Sequence, residues 1–218
     1  SLDKFSQANV PTNIQMKKLL DLAPAIGESE AMAKIRTIAS KNKIFRSFIG
    51  MGYSGTITPP VIQRNILENP GWYTSYTPNQ AEISQGRLES LLNFQTMICD
   101  LTGLDVSNAS LLDEPTAAAE AMNLCWSVAK RKRSTFYVAD DTHPQTIALI
   151  KSRGEARGIK VVVGPWEKLD FNNSDICGVL LQYPNTEGTI HDFTAYVEQV
   201  HKMGALVVCA TDLLSLAL

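Results

Sequence analysis

The second half of the chain alternates short apolar runs of strand type with segments of helical pattern. The runs of strand type lie at 135–139, 159–163, 178–182 and 205–210. Segments 144–153 and 193–203 lie between them, and their apolar residues recur at helical spacing. Strands that alternate with helices are joined by crossovers and pair in parallel. The pattern therefore predicts an α/β fold with a mostly parallel sheet and flanking helices.

Helical patterns also occur before residue 135. They cover 29–41, 60–69, 84–101 and 113–130. The pattern at 84–101 is the clearest, because leucine and isoleucine recur on one helix face and Gly103 follows as a terminator. The segment 71–80 contains aromatic residues and Pro78, and it predicts an extended lead-in to that helix.

Composition argues against several classes of function. The formal net charge is −2, so nothing indicates nucleic acid or an anionic membrane as a partner. No apolar run approaches the roughly 20 residues of a membrane-spanning helix. The four cysteines have no CxxC spacing and lie in separate apolar segments, which favours buried free thiols in a reducing compartment. No metal is predicted, because His191 and His201 lack partners at metal-binding spacing.

Five strings are more specific than composition can explain. They are SFIGMGY at 47–53, PPVIQRNILENPGWY at 59–73, YTPNQAEISQGRLESLLNFQTMICDLTGLDVSNASLLDEPTAAAE at 76–120, DTHPQTIALI at 141–150 and QYPNTEG at 182–188. Through these strings the chain resembles the glycine decarboxylase (P-protein) family of the glycine cleavage system. The resemblance implies the pyridoxal-phosphate-dependent transferase fold, which is the aspartate aminotransferase fold type I, and specifically its large domain.

The resemblance also implies an activity. The family decarboxylates glycine with pyridoxal phosphate and passes the aminomethyl group to the lipoyl arm of the H-protein. Its members contain two similar halves, fused or as separate subunits, and this chain matches the amino-terminal half, which lacks the Schiff-base lysine. Pyridoxal phosphate would then be bound by the lysine-bearing carboxy-terminal half or subunit. The implied partners are that half, glycine and the lipoylated H-protein, in a dimer located in the mitochondrial matrix or a bacterial cytoplasm.

Two alternatives stay open. One is a purely structural or interaction half of the same complex, with no residue in the active site. The other is a different pyridoxal-phosphate enzyme of fold type I, an aminotransferase or decarboxylase, with its lysine further along the chain.

The predicted organisation has two parts. We expect a helical amino-terminal arm and lead-in over 1–70 and an incomplete α/β large domain over 71–218. The chain ends in the apolar string LVVCATDLLSLAL, so we expect a truncated domain that is inactive alone. Such a domain would leave a sheet edge open to association.

Four polar residues lie at predicted strand or helix ends, where α/β proteins bind ligands. His143, Tyr183 and Asp212 follow strands, and Thr116 starts a helix. The resemblance places Thr116 near the cofactor phosphate, His143 on the face of its ring and Asp212 opposite the ring nitrogen. Each of these three also has a structural alternative, as a cap or as part of a helix start.

Neighbouring residues weaken that cofactor assignment. No lysine follows the 205–210 run, and Asp113 and Glu114 place two carboxylates at a helix start, where they repel a phosphate. Pro115, where the family more often has Gly or Ala, removes an N–H donor. We therefore predict no catalytic residue in this half.

The segment 76–86 is the candidate for contact with the neighbouring active site. Its site-shaping residues would be Tyr76, Thr77, Gln80, Glu82 and Gln85. Pro78 limits the freedom of an extended backbone, so these groups would be held in place. The alternative is a plain surface lead-in, and Asn79 departs from the tyrosine usual in the family's YTPYQ string.

A glycine-rich loop at 50–53 completes the set of motifs. It lacks the GK[ST] ending of a phosphate-binding loop. We predict instead that its glycines permit close approach of the backbone to other groups.

Overall fold

The computed structural model describes residues 1–16, 18, 20–74, 77 and 80–218. The chain separates into two compact units, Ser1–Arg46 and Ser47–Leu218. Within the first unit, helix α1 spans Leu2–Asn9 and helix α2 spans Glu28–Ala39, close to the predicted 29–41. Neither helix contains a buried residue. The predicted division at residue 70 stays a prediction.

Two short helices precede the long helix of the second unit. Helix α3 (Pro60–Ile62) continues into a π-helical turn at Gln63–Leu67, within the predicted helical segment. Helix α4 spans Pro70–Tyr73, so the prediction of an extended 71–80 is wrong for its first residues. The reason is local: the Asn69 side chain accepts a hydrogen bond from the Gly71 N–H, and Pro70 stands at the first helical position, where proline is favoured.

Helix α5 (Ala81–Thr102) begins three residues before the predicted start at Ser84. The backbone breaks at Ser84, with φ −122° and ψ 37°, and becomes regular after it. Gly103 ends the helix in the left-handed conformation, as predicted. The Arg87 guanidinium donates hydrogen bonds to the carbonyl oxygens of Gly71 and Thr74, at 2.5 and 2.9 Å, and so ties α5 to the end of α4.

The remaining elements confirm the predicted alternation of helices and strands. They are α6 (Glu114–Val128), β1 (Thr135–Ala139), α7 (Pro144–Arg157), β2 (Lys160–Gly164), β3 (Ile176–Tyr183), α8 (Thr194–Lys202) and β4 (Leu206–Thr211). The four strands form one parallel sheet in the order β2-β1-β3-β4. After β1 the chain forms β2 on one side of it and then β3 on the other side. The order of the strands therefore reverses between β1 and β3, which is the topological switch point of the sheet.

Side chains of alternate residues on the strands form two separate cores. Phe136 and Leu180 point to the face covered by α6 and α7, where they pack with Met122 and Ile150. The intervening residues point to the face covered by α8, where Val179 and its neighbours pack against Tyr196 and Val200. Helices on both faces of a parallel sheet are the arrangement that the sequence pattern predicts.

Two charged residues hold the amino ends of the strands together. The Arg133 guanidinium donates to the carbonyl oxygens of Ile176, Met203 and Gly204, at 3.3, 3.1 and 2.7 Å. The Asp175 carboxylate, just before β3, accepts from the Thr135 hydroxyl at 2.6 Å and the Ser134 N–H at 2.9 Å. These hydrogen bonds lower the pKa of Asp175.

The four cysteines are free, as expected, but they are not all buried. Burial raises the pKa of Cys125 to about 12 and that of Cys177 to about 11, so both are thiols at neutral pH. Cys209 is exposed and lies on β4, one of the two edge strands of the described sheet. The prediction of buried thiols is therefore wrong for Cys209.

Candidate functional site

A cavity of about 320 Å³ lies at the carboxyl ends of β1, β3 and β4. Its wall comes from His143 after β1, residues 182–186 and Gly188 at the end of β3 and in the turn after it, and Thr211 and Asp212 at the end of β4. Glu114 at the start of α6 and the glycine loop at 50–52 complete the wall. This cavity includes the switch between β1 and β3, where open α/β sheets bind ligands.

The loops that follow β1 and β3 are joined by hydrogen bonds. The Asn185 side-chain amide donates to the Asp141 carboxylate, and the Thr186 N–H donates to the Asp141 carbonyl oxygen, both at 2.9 Å. His143 Nδ1 lies 3.0 Å from the Thr186 hydroxyl oxygen. The buried His143 ring is therefore fixed against the second loop, and these bonds give the cavity a preformed wall.

Gln182 contributes a buried polar group to the same wall. Its side chain is 4% exposed, and its Nε2 donates to the Ala210 carbonyl oxygen at 3.1 Å. Its Oε1 has no hydrogen-bond partner among the described residues. A buried acceptor without a donor costs about 1–3 kcal/mol, so such atoms call for a physical explanation.

The glycine loop approaches the cavity closely at Gly52. A Cβ at this position would lie 3.0 Å from the Glu114 Oε2 and 3.3 Å from the edge of the His143 ring. The backbone there has φ +81°, which also favours glycine. The predicted close approach of the backbone is confirmed at Gly52 but not at Gly50, where an added Cβ would have no atom within 4 Å. Tyr53, by contrast, is largely exposed.

The ionised groups of the wall are acidic. Glu114 and Asp212 line the cavity, whereas no lysine or arginine does so within the part of the chain that the structure describes. Asp212 also caps a short 3₁₀ helix, since its Oδ1 accepts from the Leu214 N–H at 2.8 Å. This is the structural alternative predicted for Asp212, and one carboxylate oxygen remains for the cavity.

The start of α6 is already capped by its own side chains. The Thr116 N–H donates to the Asp113 carboxylate at 2.9 Å. Hydrogen bonds from the Thr116 hydroxyl and this N–H lower the pKa of Asp113. The family resemblance places Thr116 near a phosphate, but the Thr116 N–H already donates to the Asp113 side chain that caps the helix.

Comparison with known proteins assigns the family. The model of the family described as "Glycine cleavage system P-protein" matches residues 1–218. The chain belongs to the glycine cleavage system P-protein family.

Individual P-protein relatives agree with this assignment. The chain is 57% identical over 216 residues to a glycine dehydrogenase (decarboxylating) of Synechocystis sp., covering 99% of this chain and 22% of that protein. It is 56% identical to the enzyme of that name from Agrobacterium fabrum, covering 100% of this chain and 23% of the relative. It is 53% identical to a mitochondrial relative of that name from Flaveria anomala, covering 100% of this chain and 21% of the relative. The chain thus spans about a fifth of the length of the curated relatives it matches.

A solved structure gives the same result for the fold. It is an inhibitor-bound glycine decarboxylase (P-protein) of the glycine cleavage system, 32% identical to this chain, with a TM-score of 0.89. The match covers 100% of this chain and 50% of that chain. The expected α/β fold of the P-protein is therefore confirmed.

The cavity of this P-protein chain does not fit pyridoxal phosphate. The Thr116 N–H is already bonded, Pro115 has no N–H, and Glu114 presents a carboxylate where a phosphate would need donors. No lysine among the described residues lines the cavity, so none of these residues could hold the cofactor covalently. Thr116 lies beside the cavity rather than in its wall, while His143 and Asp212 share it.

The predicted site-shaping residues lie elsewhere in the P-protein chain. Tyr76, with Pro78 and Asn79, lies outside the described residues. Thr77, Gln80, Glu82 and Gln85 are exposed, and none of them lines the cavity. Glu82 and Gln85 lie on α5 and not on an extended segment, because the helix already begins at Ala81.

Several residues of the cavity wall were not predicted from the sequence as site residues. They are Glu114, Gln182, Asn185, Thr186 and Gly52. A polar residue that ends an apolar strand, as Gln182 does after 178–181, is a signal for a strand-end site. The meeting of Gly52 with Glu114 has no such signal, because it joins segments far apart in the sequence.

No group of three or more His, Cys, Asp or Glu side chains among the described residues is placed to hold a metal ion. No helix among them is long and apolar enough to cross a membrane.

Proposed function

We propose that this chain is the amino-terminal, lysine-free part of a glycine decarboxylase. In this proposal the lysine-bearing carboxy-terminal half holds pyridoxal phosphate, which acts as the electron sink for loss of carbon dioxide from glycine. The aminomethyl group then passes to the lipoyl arm of the H-protein. The proposal rests on the family match over residues 1–218, which is supported by 53–57% identity to relatives named glycine dehydrogenase (decarboxylating).

The role of this chain in that enzyme would be to shape and support the site, without a catalytic residue of its own. The candidates for contact with the lysine-bearing half are Tyr76, Thr77, Gln80, Glu82 and Gln85. Support comes from the exposure of Thr77, Gln80, Glu82 and Gln85 around the start of α5, since polar groups there are accessible to a partner surface.

Arg87 contributes contacts between described residues next to this segment. Its guanidinium donates charge-assisted hydrogen bonds to the carbonyl oxygens of Gly71 and Thr74, so helix α5 is joined to the end of helix α4.

The proposed assembly is a dimer that also engages the lipoylated H-protein. The proposed compartment is the mitochondrial matrix or, alternatively, a bacterial cytoplasm. Relatives of both origins support these two options, because one is a mitochondrial protein of Flaveria anomala and another is from the bacterium Agrobacterium fabrum.

The test uses the full-length protein that contains this chain. Glycine-dependent release of carbon dioxide is measured with lipoylated H-protein and with pyridoxal phosphate present. We expect turnover that depends on both the H-protein and glycine. Turnover of a 2-oxo acid acceptor without H-protein would instead favour an aminotransferase and overturn the proposal.

A second arm separates the site-shaping role from a purely structural one. Glu82→Gln and Tyr76→Phe are compared with Glu89→Gln, a matched change on the exposed side of the same helix. We expect the first two to lower turnover about tenfold, equivalent to about 1.4 kcal/mol of barrier, with unchanged assembly. Equal turnover in all three variants would leave this half with a structural role only.

A further inference from the structure

We propose that the basic turn at 130–132, between α6 and β1, docks an acidic protein segment that also carries apolar side chains. The turn lies at the amino end of the sheet, opposite the cavity at the carboxyl ends of the strands. This surface goes beyond the proposed function and does not depend on the decarboxylase activity. Three features of the turn support it: its backbone, its charge and the apolar side chains beside it.

The backbone of the basic turn has the conformation that favours glycine, but the turn contains none. The Lys130 N–H donates to the Ser127 carbonyl oxygen at 2.9 Å. The Arg131 N–H donates to the Trp126 carbonyl oxygen at 3.0 Å. These two bonds form a Schellman motif at the end of α6, with its left-handed position at Lys130. Lys130 has φ +52°, and Arg131 is also left-handed, with φ +59°.

Three other helices have glycine at the left-handed residue that ends them. It is Gly103 after α5, Gly158 after α7 and Gly204 after α8. A Cβ is disfavoured in this conformation, so the fold alone favours glycine at position 130 as well. The helix dipole does not account for Lys130, because a lysine in the last turn of α6 would interact with it without a left-handed backbone. The role of Lys130 therefore lies in its side chain.

The basic turn concentrates positive charge that the described chain does not neutralise. Lys130, Arg131 and Lys132 are exposed, and none of them forms a salt bridge with another described residue. Lys202 at the end of α8, by contrast, lies 3.9 Å from the Glu198 carboxylate. Unpaired cations on consecutive residues attract a negatively charged partner and raise its rate of association.

Apolar side chains lie next to these charges. Leu124 and Val128 are exposed and one helical turn apart, so they share a face of α6 that leads to the basic turn. The Arg131 guanidinium lies over the Trp126 ring, 5.0 Å from its centroid, which limits its freedom before a partner binds. An apolar centre with a basic rim fits a partner whose apolar side chains are flanked by carboxylates.

Other anionic partners fit this surface less well. The N–H groups of Lys130, Arg131 and Lys132 already donate within the turn, so none is left to bind a phosphate. The net charge of −2 disfavours nucleic acid. The exposed side chains of Leu124 and Val128 provide too little apolar area to hold the chain on an anionic membrane.

The experiment uses the full-length protein that contains this chain and labelled peptides in fluorescence anisotropy titrations at about 50 mM salt. The peptide EEEELLEEEE carries both features of the proposed partner, whereas QQQQLLQQQQ lacks the charge and EEEESSEEEE lacks the apolar pair. We expect saturable binding of EEEELLEEEE that weakens as salt is added. QQQQLLQQQQ should bind at least about tenfold more weakly, and EEEESSEEEE about threefold more weakly.

Two variants that lose the same charge locate the docking surface. One replaces the basic turn, as Lys130→Gly, Arg131→Gly and Lys132→Gln. The other removes three exposed cations of the first unit, as Lys34→Gln, Arg36→Gln and Lys41→Gln. We expect the first variant to weaken EEEELLEEEE binding at least about tenfold and the second to change it less than about twofold.

Thermal unfolding separates docking from a structural role of Lys130. Lys130→Gly alone should keep or raise the midpoint of thermal unfolding, because glycine is favoured at a left-handed position. The same variant should weaken peptide binding about threefold. A lower midpoint with unchanged peptide binding would assign Lys130 to the fold and overturn the proposal.

The remaining outcomes test the partner. Absence of EEEELLEEEE binding, or equal losses in the two triple variants, would overturn the docking surface. Tighter binding of an oligothymidylate or of phosphatidylserine vesicles than of the peptide would overturn the acidic protein segment as the partner. Peptide binding that requires the basic turn, in a protein without glycine turnover, would support this surface while the proposed function failed.

Discussion

The sheet with its helices and the helices before it differ in how they use apolar residues. Met122, Phe136 and Leu180, in the region of the sheet, are 0% exposed. By contrast, α1 to α4 contain no buried residue, and α5 buries only Ser84. Both regions have helical periodicity in the sequence. Periodicity therefore predicts a helix, whereas the burial of its apolar residues depends on what packs against it.

This difference separates two sources of stability. Around the sheet, apolar side chains removed from water supply most of the free energy of folding. In α1 to α5, capping, backbone propensity and side-chain hydrogen bonds must contribute more within the described part of the chain. Substitutions of the same chemical kind should therefore have unequal effects in the two regions.

The largest difference is expected between Phe136→Ala and Ile35→Ala. The Phe136 side chain is 0% exposed, and its removal leaves a cavity that should cost about 3–5 kcal/mol in the free energy of unfolding. Ile35 on α2 is 59% exposed, so its truncation should cost less than about 0.5 kcal/mol. Denaturant unfolding of the two variants measures this. Similar losses in the free energy of unfolding for the two variants would contradict the difference in burial between the two regions.

Gly178→Ala should have the next largest effect. An added Cβ would lie 2.7 Å from Cys125 Sγ and 3.0 Å from the Phe136 ring, inside a packed core. Overpacking of this kind costs about 1–3 kcal/mol. The measurement is the midpoint of thermal unfolding, and an unchanged midpoint would mean that α6 can move away from β3 without cost.

Asp175→Asn should show a smaller effect that depends on pH. Hydrogen bonds from Thr135 and Ser134 lower the pKa of Asp175 below its usual 3.8. The stabilisation is therefore complete above the unfolded-state pKa and is lost as the pH falls through the folded-state pKa. At neutral pH we expect Asp175→Asn to lower the free energy of unfolding by about 1 kcal/mol at most, because partial exposure to water weakens these hydrogen bonds.

Unfolding at several pH values provides the measurement for Asp175. The difference between the wild type and Asp175→Asn should shrink as the solution becomes acidic. Ser174 precedes it on the same loop and is exposed, so Ser174→Ala is the matched control. A difference that grows toward low pH would have the wrong sign for this account.

Gly86→Ala is expected to have the smallest effect and the opposite direction. Gly86 lies in α5, and an added Cβ would have no atom within 4 Å. Alanine should therefore stabilise by about 0.5–1 kcal/mol through its lower backbone entropy in the unfolded state. Thermal unfolding of the second unit in the full-length protein tests this, and destabilisation would indicate that a partner surface packs against Gly86.

The same contrast explains what the sequence predicts. Helices and strands from 114 to 211 are predictable, because their apolar periods agree with the packing that they find. The helix at Pro70–Tyr73 is not predicted, because its aromatic residues favour an extended segment. The Asn69 side chain, which caps the helix, and Pro70 at its first position stabilise the helix instead. Local capping outweighs composition in so short a segment.

The candidate cavity is predictable only in part. His143 and Asp212 follow strands, and the rule for strand ends brings them to one edge of the sheet. The contribution of Gly52 depends on a close approach to Glu114 that only the tertiary structure defines. The place of Glu114 in the wall could therefore not be predicted from strand ends alone.

Arg133 has a consequence for motion in the sheet. The Arg133 guanidinium donates to the carbonyl oxygens of Ile176, Met203 and Gly204, and the Asp175 carboxylate accepts hydrogen bonds from Ser134 and Thr135 at the start of β1. Amides near this end should exchange with solvent only when the whole sheet opens. The opposite end is bounded by the loop at Gly52, whose amides should exchange by local opening. We therefore expect the two ends of the sheet to differ in mobility, with the end held by Arg133 and Asp175 the more rigid of the two.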